Sequence, residues 1–196
     1  GVGMGRGEGG GESGRPLFLG VVGVIYVAVV LAPLPLPSWA NVQLLHRQLH
    51  QVGRSHALSS FQLYQAAIRY AEDHGLEDPE HFAFNGTFSL STHYLLGLGL
   101  ELMLKAAVCS VEKEISPNDL KSLGHNLLKA VNRVEGGGFE HDMAAVRNLA
   151  EIMQKPYLSH WLRYEHPEQF PLPGDLAQVQ ETFRLFDEAL EAKIGG

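Results

Sequence analysis

The stretch FSLSTHYLLGLGLELMLKAAVCSV, residues 88–111, decides the fold of this chain. It is apolar nearly all round from Tyr94 to Val108, and an α-helix of that kind belongs in the middle of a bundle. Glu101 and Lys105 lie inside the apolar run. Because charged side chains are expensive in lipid, the pattern favours a central core helix over a membrane span.

Small residues within this helix carry further information. Gly97 and Gly99 each cost about 1 kcal/mol relative to alanine in a helix, a cost that the close approach of a neighbouring helix offsets. Cys109 is the only cysteine of the chain. An intrachain disulfide and a cysteine-based zinc site are therefore excluded. Its apolar surroundings predict a small core residue rather than a nucleophile.

Helical periodicity continues on both sides of the central helix. Upstream, apolar residues recur at spacings of three and four over residues 41–52 and 55–74, which predicts two helices separated at Gly53 and Ser55. A loop is predicted over 76–86. Downstream, Ser116-Pro117-Asn118-Asp119 is a helix start signal. It opens a short helix that ends at Gly124.

The rest of the body is also predicted to be helical. Further helices are predicted over residues 125–135, 139–154 and 175–194, and the Pro- and aromatic-rich residues 156–174 are predicted to be irregular. No stretch alternates convincingly with period two, so no sheet is expected. The prediction is an all-α, up-and-down bundle of about five to six helices around the central helix 88–111. This bundle is predicted to form a single domain over residues 41–194.

The first forty residues differ from this body. Residues 1–15 are Gly-rich with almost no apolar side chains to bury, which predicts disorder. Residues 16–37 form a hydrophobic segment whose uncharged run, about 17 residues, is near the short limit for a membrane span. A signal peptide, a membrane anchor and an extension from a misplaced translation start remain open. The expected location is cytoplasmic, or anchored to the cytoplasmic membrane if the segment is genuine.

The charge balance bears on possible ligands. The chain has a formal net charge of −7, and all of this excess lies outside the first forty residues. An acidic body argues against a broad nucleic-acid surface, because phosphate binding relies on Lys and Arg, but it is compatible with a small basic patch. No Walker motif, Gly-x-Ser-x-Gly elbow or His-Glu-x-x-His motif occurs.

Two motifs resemble those of a known superfamily. GLELMLK (residues 99–105) paired with GHNLLK (residues 124–129) is similar to the HEPN superfamily, small helical bundles in which a buried Glu-x-x-x-Lys helix is followed by a Gly-His-x-Leu turn. The segment 161–164, Trp-Leu-Arg-Tyr, resembles an Arg-Tyr segment of that family. The resemblance covers roughly residues 58–190. It implies RNA or nucleotide binding, a homodimer, and a toxin–antitoxin, antiviral or stress system with a cognate antitoxin or nucleotidyltransferase as partner.

Catalytic members of the superfamily are metal-independent RNases with an Arg-x4–6-His motif near the start of a late helix. Here Arg163 and His166 are separated by only two residues. Arg69 and His74 have the right spacing but lie on an early helix. These departures favour binding without robust catalysis. An RNase that uses Arg163 with His160 or His166 is one alternative. A structural or interaction module, tethered to a membrane through residues 17–31, is another.

The candidate ligand-binding residues are Glu101, Lys105, His125 and Tyr164, and no cofactor is expected. Glu101 and Lys105 are spaced i, i+4 with the acid first, the favourable order for an ion pair. They are interpreted either as a structural pair or, together with His125, as a polar pocket for a nucleotide or phosphate. Tyr164, like Tyr157 and Trp161, is placed to stack bases or to pack its segment against the core.

The candidate catalytic residues are Arg163, His160 and His166. An arginine holds a phosphate in a forked contact, and a histidine of near-neutral pKa moves a proton. The competing interpretation is a loop with surface histidines. His46 and His50 are spaced i, i+4 on one helix, but no acidic third ligand lies at a matching spacing there. We therefore expect them to be solvated on the surface and predict no metal site.

Overall fold

The computed structural model describes residues 38–86, 88–112, 114–158 and 176–195, and within these ranges it contains helices and no strand. The seven helices within these ranges are α1 (Ser38–Asp73), α2 (Pro79–Asn85), α3 (Ser89–Val111), α4 (Pro117–Leu123), α5 (Leu127–Gly136), α6 (Ala144–Leu158) and α7 (Leu176–Gly195). The predicted all-α helical bundle is confirmed. The predictions for residues 1–15 and 16–37 lie outside the described residues.

Helix α3 lies at the centre of the bundle. It packs against α1, α2, α5, α6 and α7. Its largest buried apolar side chains are Leu96, Leu100, Met103, Leu104 and Val108. Among the described helices α3 alone is long and apolar enough to cross a membrane, but 61% of its apolar window is buried inside the bundle. This burial against other helices is the pattern of a core helix, and Cys109 is buried in it as predicted.

The glycines of α3 permit a close helix contact, as predicted. A Cβ atom on Gly99 would lie 2.9 Å from the backbone nitrogen of Ala57 and 3.0 Å from the carbonyl oxygen of Gly53, both in α1. A Cβ atom on Gly53 would lie 2.9 Å from the backbone nitrogen of Met103. The backbones of α1 and α3 are therefore almost in contact at this crossing.

The predicted break at Gly53 and Ser55 is wrong, because α1 runs without interruption from Ser38 to Asp73. Gly53 weakens a helix by about 1 kcal/mol relative to alanine. The packing of its bare backbone against α3 offsets that loss. The glycine is thus a contact residue rather than a helix terminator.

Capping residues explain where the short helices begin. The predicted loop over 76–86 is wrong in its second half, where Asp78 caps α2 by accepting a hydrogen bond from the backbone N–H of His81 at 2.9 Å. The predicted start at Ser116 is confirmed, and Ser116 and Asp119 form a reciprocal capping box for α4. Both helices begin with proline directly after the cap, a position that suits a residue without an N–H.

Helix α6 extends further than expected. Pro156, Tyr157 and Leu158 belong to it, so the prediction of an irregular segment is wrong for these residues. Pro156 removes one helix hydrogen bond, but Pro156 and Tyr157 are buried against the core. The apolar surface that they bury offsets the lost bond.

Candidate functional site

Glu101 is the centre of a polar cluster inside the bundle. Its Oε1 atom accepts a hydrogen bond from Nζ of Lys105 at 2.5 Å, one turn later on α3. Its Oε2 atom lies 2.8 Å from Nδ1 of His125, in the turn between α4 and α5. Three of the residues predicted from the sequence to share a pocket are therefore in direct contact, and they come from two separate segments of the chain.

Tyr157 is the fourth member of this cluster. Its hydroxyl donates a hydrogen bond to Oε2 of Glu101 at 2.6 Å. From the sequence, Tyr157 is a candidate only for base stacking or packing, because no local pattern links it to a carboxylate 56 residues away. Gly97 makes room for its ring, since a Cβ atom there would lie 2.5 Å from Cδ2 of Tyr157. We call these four residues, Glu101, Lys105, His125 and Tyr157, the Glu101 cluster.

The backbone of the α4–α5 turn positions His125. Gly124 ends α4 with a φ of 56°, a left-handed conformation that favours glycine. Asn126 then caps α5 by accepting a hydrogen bond from the backbone N–H of Lys129 at 2.8 Å. His125 is held between these two fixed points, and its ring packs edge-on against Tyr157 with centroids 5.6 Å apart.

The surroundings of Glu101 keep its carboxyl ionised. Burial raises the pKa of this carboxyl, but hydrogen bonds from Lys105, Tyr157 and His125 together outweigh it, so the pKa lies below its ordinary value. The side chain of Glu101 is only 7% exposed. A buried carboxylate is costly unless donors surround it, and here three donors share its two oxygens.

His125 connects this buried carboxylate to the surface. Its side chain is 40% exposed, compared with 13% for Lys105. Because the ionised carboxylate accepts at Nδ1, the His125 ring carries a proton on that nitrogen. A carboxylate that selects the tautomer of a histidine in this way is a common arrangement in sites that bind anions or move protons.

The remaining predicted site residues lie outside the described residues. Arg163, His160, His166 and Tyr164 all fall between the end of α6 at Leu158 and the start of α7 at Leu176, as does Trp161. Their expected roles in phosphate contact, proton transfer and base stacking therefore stay predictions.

The expected surface exposure of His46 and His50 is wrong, because both are buried. His50 Nε2 lies 2.6 Å from Oδ1 of Asp187 on α7, a carboxylate that the sequence of α1 could not reveal. The ligand atoms of His50, Asp187 and Glu191 lie within 4.8 Å of one another. Arg54 also contacts both carboxylates, at 3.2 Å to Asp187 and 2.5 Å to Glu191. Its guanidinium already supplies the positive charge, so we interpret this group as an ion-pair network that joins α1 to α7.

The Glu101 cluster thus combines an ionised carboxylate, a lysine, a tyrosine and a partly exposed histidine. This set of groups can bind a phosphate through positive charge and hydrogen-bond donors, or exchange a proton through His125. Comparison of the chain with protein-family models, curated proteins and solved structures finds no match.

Proposed function

We propose that this protein is a HEPN-like domain that binds RNA or a nucleotide at the Glu101 cluster. One observation carries the proposal: the two motifs GLELMLK and GHNLLK supply Glu101, Lys105 and His125 to a single hydrogen-bonded group. The resemblance extends the proposal to a homodimer that acts in a toxin–antitoxin or defence system, with a cognate antitoxin or nucleotidyltransferase as partner.

The ligand meets the cluster at His125. The ring is the most exposed of the cluster's three ion-pairing side chains, so it is the member of the cluster that a ligand reaches first. Lys105 adds a positive charge nearby, held in position by Glu101. With a net charge of −7 on the chain, such a site neutralises few phosphates, so binding has a shallow dependence on salt.

Replacing His125 with alanine is expected to weaken the binding of a short fluorescent single-stranded RNA by about tenfold, because a charge-assisted hydrogen bond to phosphate is lost. Fluorescence anisotropy at low ionic strength measures the effect. His81→Ala is the matched control, since it removes an exposed histidine from α2. Equal affinities of His125→Ala and wild type, or no RNA or nucleotide binding by wild type at low salt, would leave the cluster as a structural network.

A second candidate function is metal-independent RNA cleavage, and the 2.8 Å contact between Glu101 Oε2 and His125 Nδ1 favours it. In this reaction Nε2 of His125 removes the proton of a ribose 2′-hydroxyl. The 2′-oxygen then bonds to the adjacent phosphorus while the bond from phosphorus to the 5′-oxygen breaks. The leaving oxygen takes up a proton from solvent water, His125 returns its proton to solvent, and the products are a 2′,3′-cyclic phosphate and a 5′-hydroxyl end. Arg163 with His160 or His166 remains the alternative set for the same chemistry.

If this second function holds, cleavage of mixed RNA persists in EDTA and falls by about a hundredfold or more in His125→Ala, the usual effect of removing a general base. Gel analysis of labelled RNA follows the rate, and mass spectrometry identifies the cyclic phosphate. Arg163→Ala distinguishes His125 from the alternative catalytic set. If cleavage is lost in Arg163→Ala but not in His125→Ala, the catalytic residues lie within 159–175. No cleavage at any protein concentration would rule out both sets.

A further inference from the structure

A concave site lies where α1 ends and α3 begins. Tyr70, His74, Leu76, Phe82 and Phe88 line a cavity of about 410 Å³. We call these five residues the aromatic pocket; they share no member with the Glu101 cluster. Tyr70 is 44% exposed and Phe88 is 37% exposed. Large aromatic rings grouped together and left this open to solvent are typical of binding surfaces rather than of packing alone.

The rings form an ordered group. The centroids of Tyr70, Phe82 and Phe88 are 5.8, 5.8 and 6.4 Å apart, so they mark a nearly equilateral triangle. Tyr70 and Phe82 are close to parallel at 18°, and Phe88 is steeply inclined to both, at 74° and 79°. His74 stacks on Tyr70 with centroids 4.0 Å apart. The rings that line the cavity therefore differ in orientation.

The surrounding chain is strongly acidic. Residues 70–88 contain no lysine or arginine, and they contain five carboxylates, all exposed: Glu72, Asp73, Glu77, Asp78 and Glu80. The face of an aromatic ring carries partial negative charge and attracts a cation within about 6 Å. Carboxylates and ring faces thus favour the same ligand, a positively charged group. The same carboxylates repel the phosphates of a nucleic acid.

We propose that the aromatic pocket binds the cationic side chain of a lysine or arginine in a basic segment of a partner protein. The carboxylates span the end of α1, the turn after it and the start of α2. Five carboxylates carry more charge than one ammonium group neutralises, so they match several positive charges along a peptide. One side chain of the peptide enters the pocket, and its neighbours pair with the carboxylates.

The test measures binding of a fluorescent Lys/Arg-rich peptide to the full chain by anisotropy, with the same peptide carrying glutamine at every basic position as the reference. Tyr70→Leu and Phe88→Leu each keep an apolar side chain but remove a ring face. We expect each to weaken binding on the order of fivefold. Leu58→Ala is the control for loss of an exposed apolar side chain elsewhere. The double variant Glu77→Gln/Glu80→Gln is expected to weaken binding more at low salt than at high salt, unlike the exposed pair Glu114→Gln/Glu140→Gln.

Five outcomes would overturn the proposal. Four of them are equal affinity for the basic and the glutamine peptide, no effect of either ring substitution, tighter binding of tetramethylammonium than of the peptide, and self-association of the chain that Phe88→Leu abolishes. The third outcome would assign the pocket to a free organic cation, and the fourth to a second copy of this chain. The fifth outcome is that single-stranded RNA displaces the peptide from wild type and that Tyr70→Leu and Phe88→Leu weaken the binding of this RNA. It would assign the pocket to a nucleic acid.

Discussion

Replacing Glu101 with alanine is expected to lower the free energy of unfolding by about 3–5 kcal/mol, the usual result of removing one partner from a buried ion pair. The substitution leaves Lys105, only 13% exposed, without its carboxylate. It also removes the acceptor of the buried Tyr157 hydroxyl. Urea denaturation followed by circular dichroism measures the change.

Two further variants make the Glu101 result interpretable. Glu101→Gln keeps the volume and an acceptor oxygen, so its loss should be smaller than that of Glu101→Ala. Glu188→Ala removes a carboxylate from an exposed pair with Arg184 and should change stability by less than about 0.5 kcal/mol. A loss in Glu101→Ala no greater than that in Glu188→Ala would contradict the central role of the cluster.

The same carboxylate should make stability depend on pH. Burial raises the pKa of the Glu101 carboxyl, but hydrogen bonds donated by Lys105, Tyr157 and His125 lower it more. In the folded protein this pKa therefore lies below its ordinary value of 4.5. A group whose pKa is lowered by folding stabilises the folded state above its unfolded pKa, and this contribution is lost as the pH falls through the folded pKa. Wild type should therefore lose stability below about pH 4.5 more steeply than Glu101→Gln.

Other carboxyl groups do not confuse this comparison. Hydrogen bonds from Ser116 lower the pKa of Asp119, and a hydrogen bond from Arg184 lowers that of Glu181. Both groups are present in wild type and in Glu101→Gln. The difference between the two proteins in how stability falls at acid pH is therefore due to Glu101. If stability fell equally steeply with acid pH in the two proteins, the neighbours of Glu101 would not lower its pKa.

Replacing Gly99 with leucine is expected to lower the free energy of unfolding by about 3 kcal/mol or more, because the new side chain has no space at the crossing of α1 and α3. Its Cβ atom alone would lie 2.9 Å from the backbone nitrogen of Ala57. Backbone atoms cannot move aside as the end of a flexible side chain can, so the helices must separate. Thermal and urea denaturation measure the loss.

Alanine substitutions provide the matched control for Gly99. Gly99→Ala should destabilise the protein by about 1–2 kcal/mol although alanine favours helix. Gly136→Ala, at the end of α5 where a Cβ atom meets nothing within 4 Å, should be neutral or slightly stabilising. If Gly99→Ala were as stable as wild type, the helix contact would be looser than the structure has it.

Much of the fold could be predicted from local sequence. The central helix was expected over 88–111 and occurs at Ser89–Val111, because its apolar run and length are properties of adjacent residues. The start of α4 followed from Ser116 and Pro117 in the same way. The start of α2 carries a similar signal at Asp78 and Pro79, which the loop prediction overlooked.

The candidate site was predictable only in part. Glu101 and Lys105 are one helical turn apart, and the Gly-His turn motif pointed to His125, so these three could be grouped from sequence. Tyr157 could not be, since its hydrogen bond spans 56 residues. The burial of His50 could not be predicted either, because its carboxylate partner Asp187 lies 137 residues away.

The sequence by itself determined the central helix, the start of α4 and the presence of two charges within an apolar helix, because periodicity and capping act between residues a few positions apart. Only the tertiary structure decided what Gly53 and Tyr157 do. Gly53 fails to break α1 because the backbone of α3 packs against it. Tyr157 joins Glu101 because Gly97 leaves space for its ring. Both outcomes depend on which helices touch, and that is set by burial of the whole core rather than by any one segment.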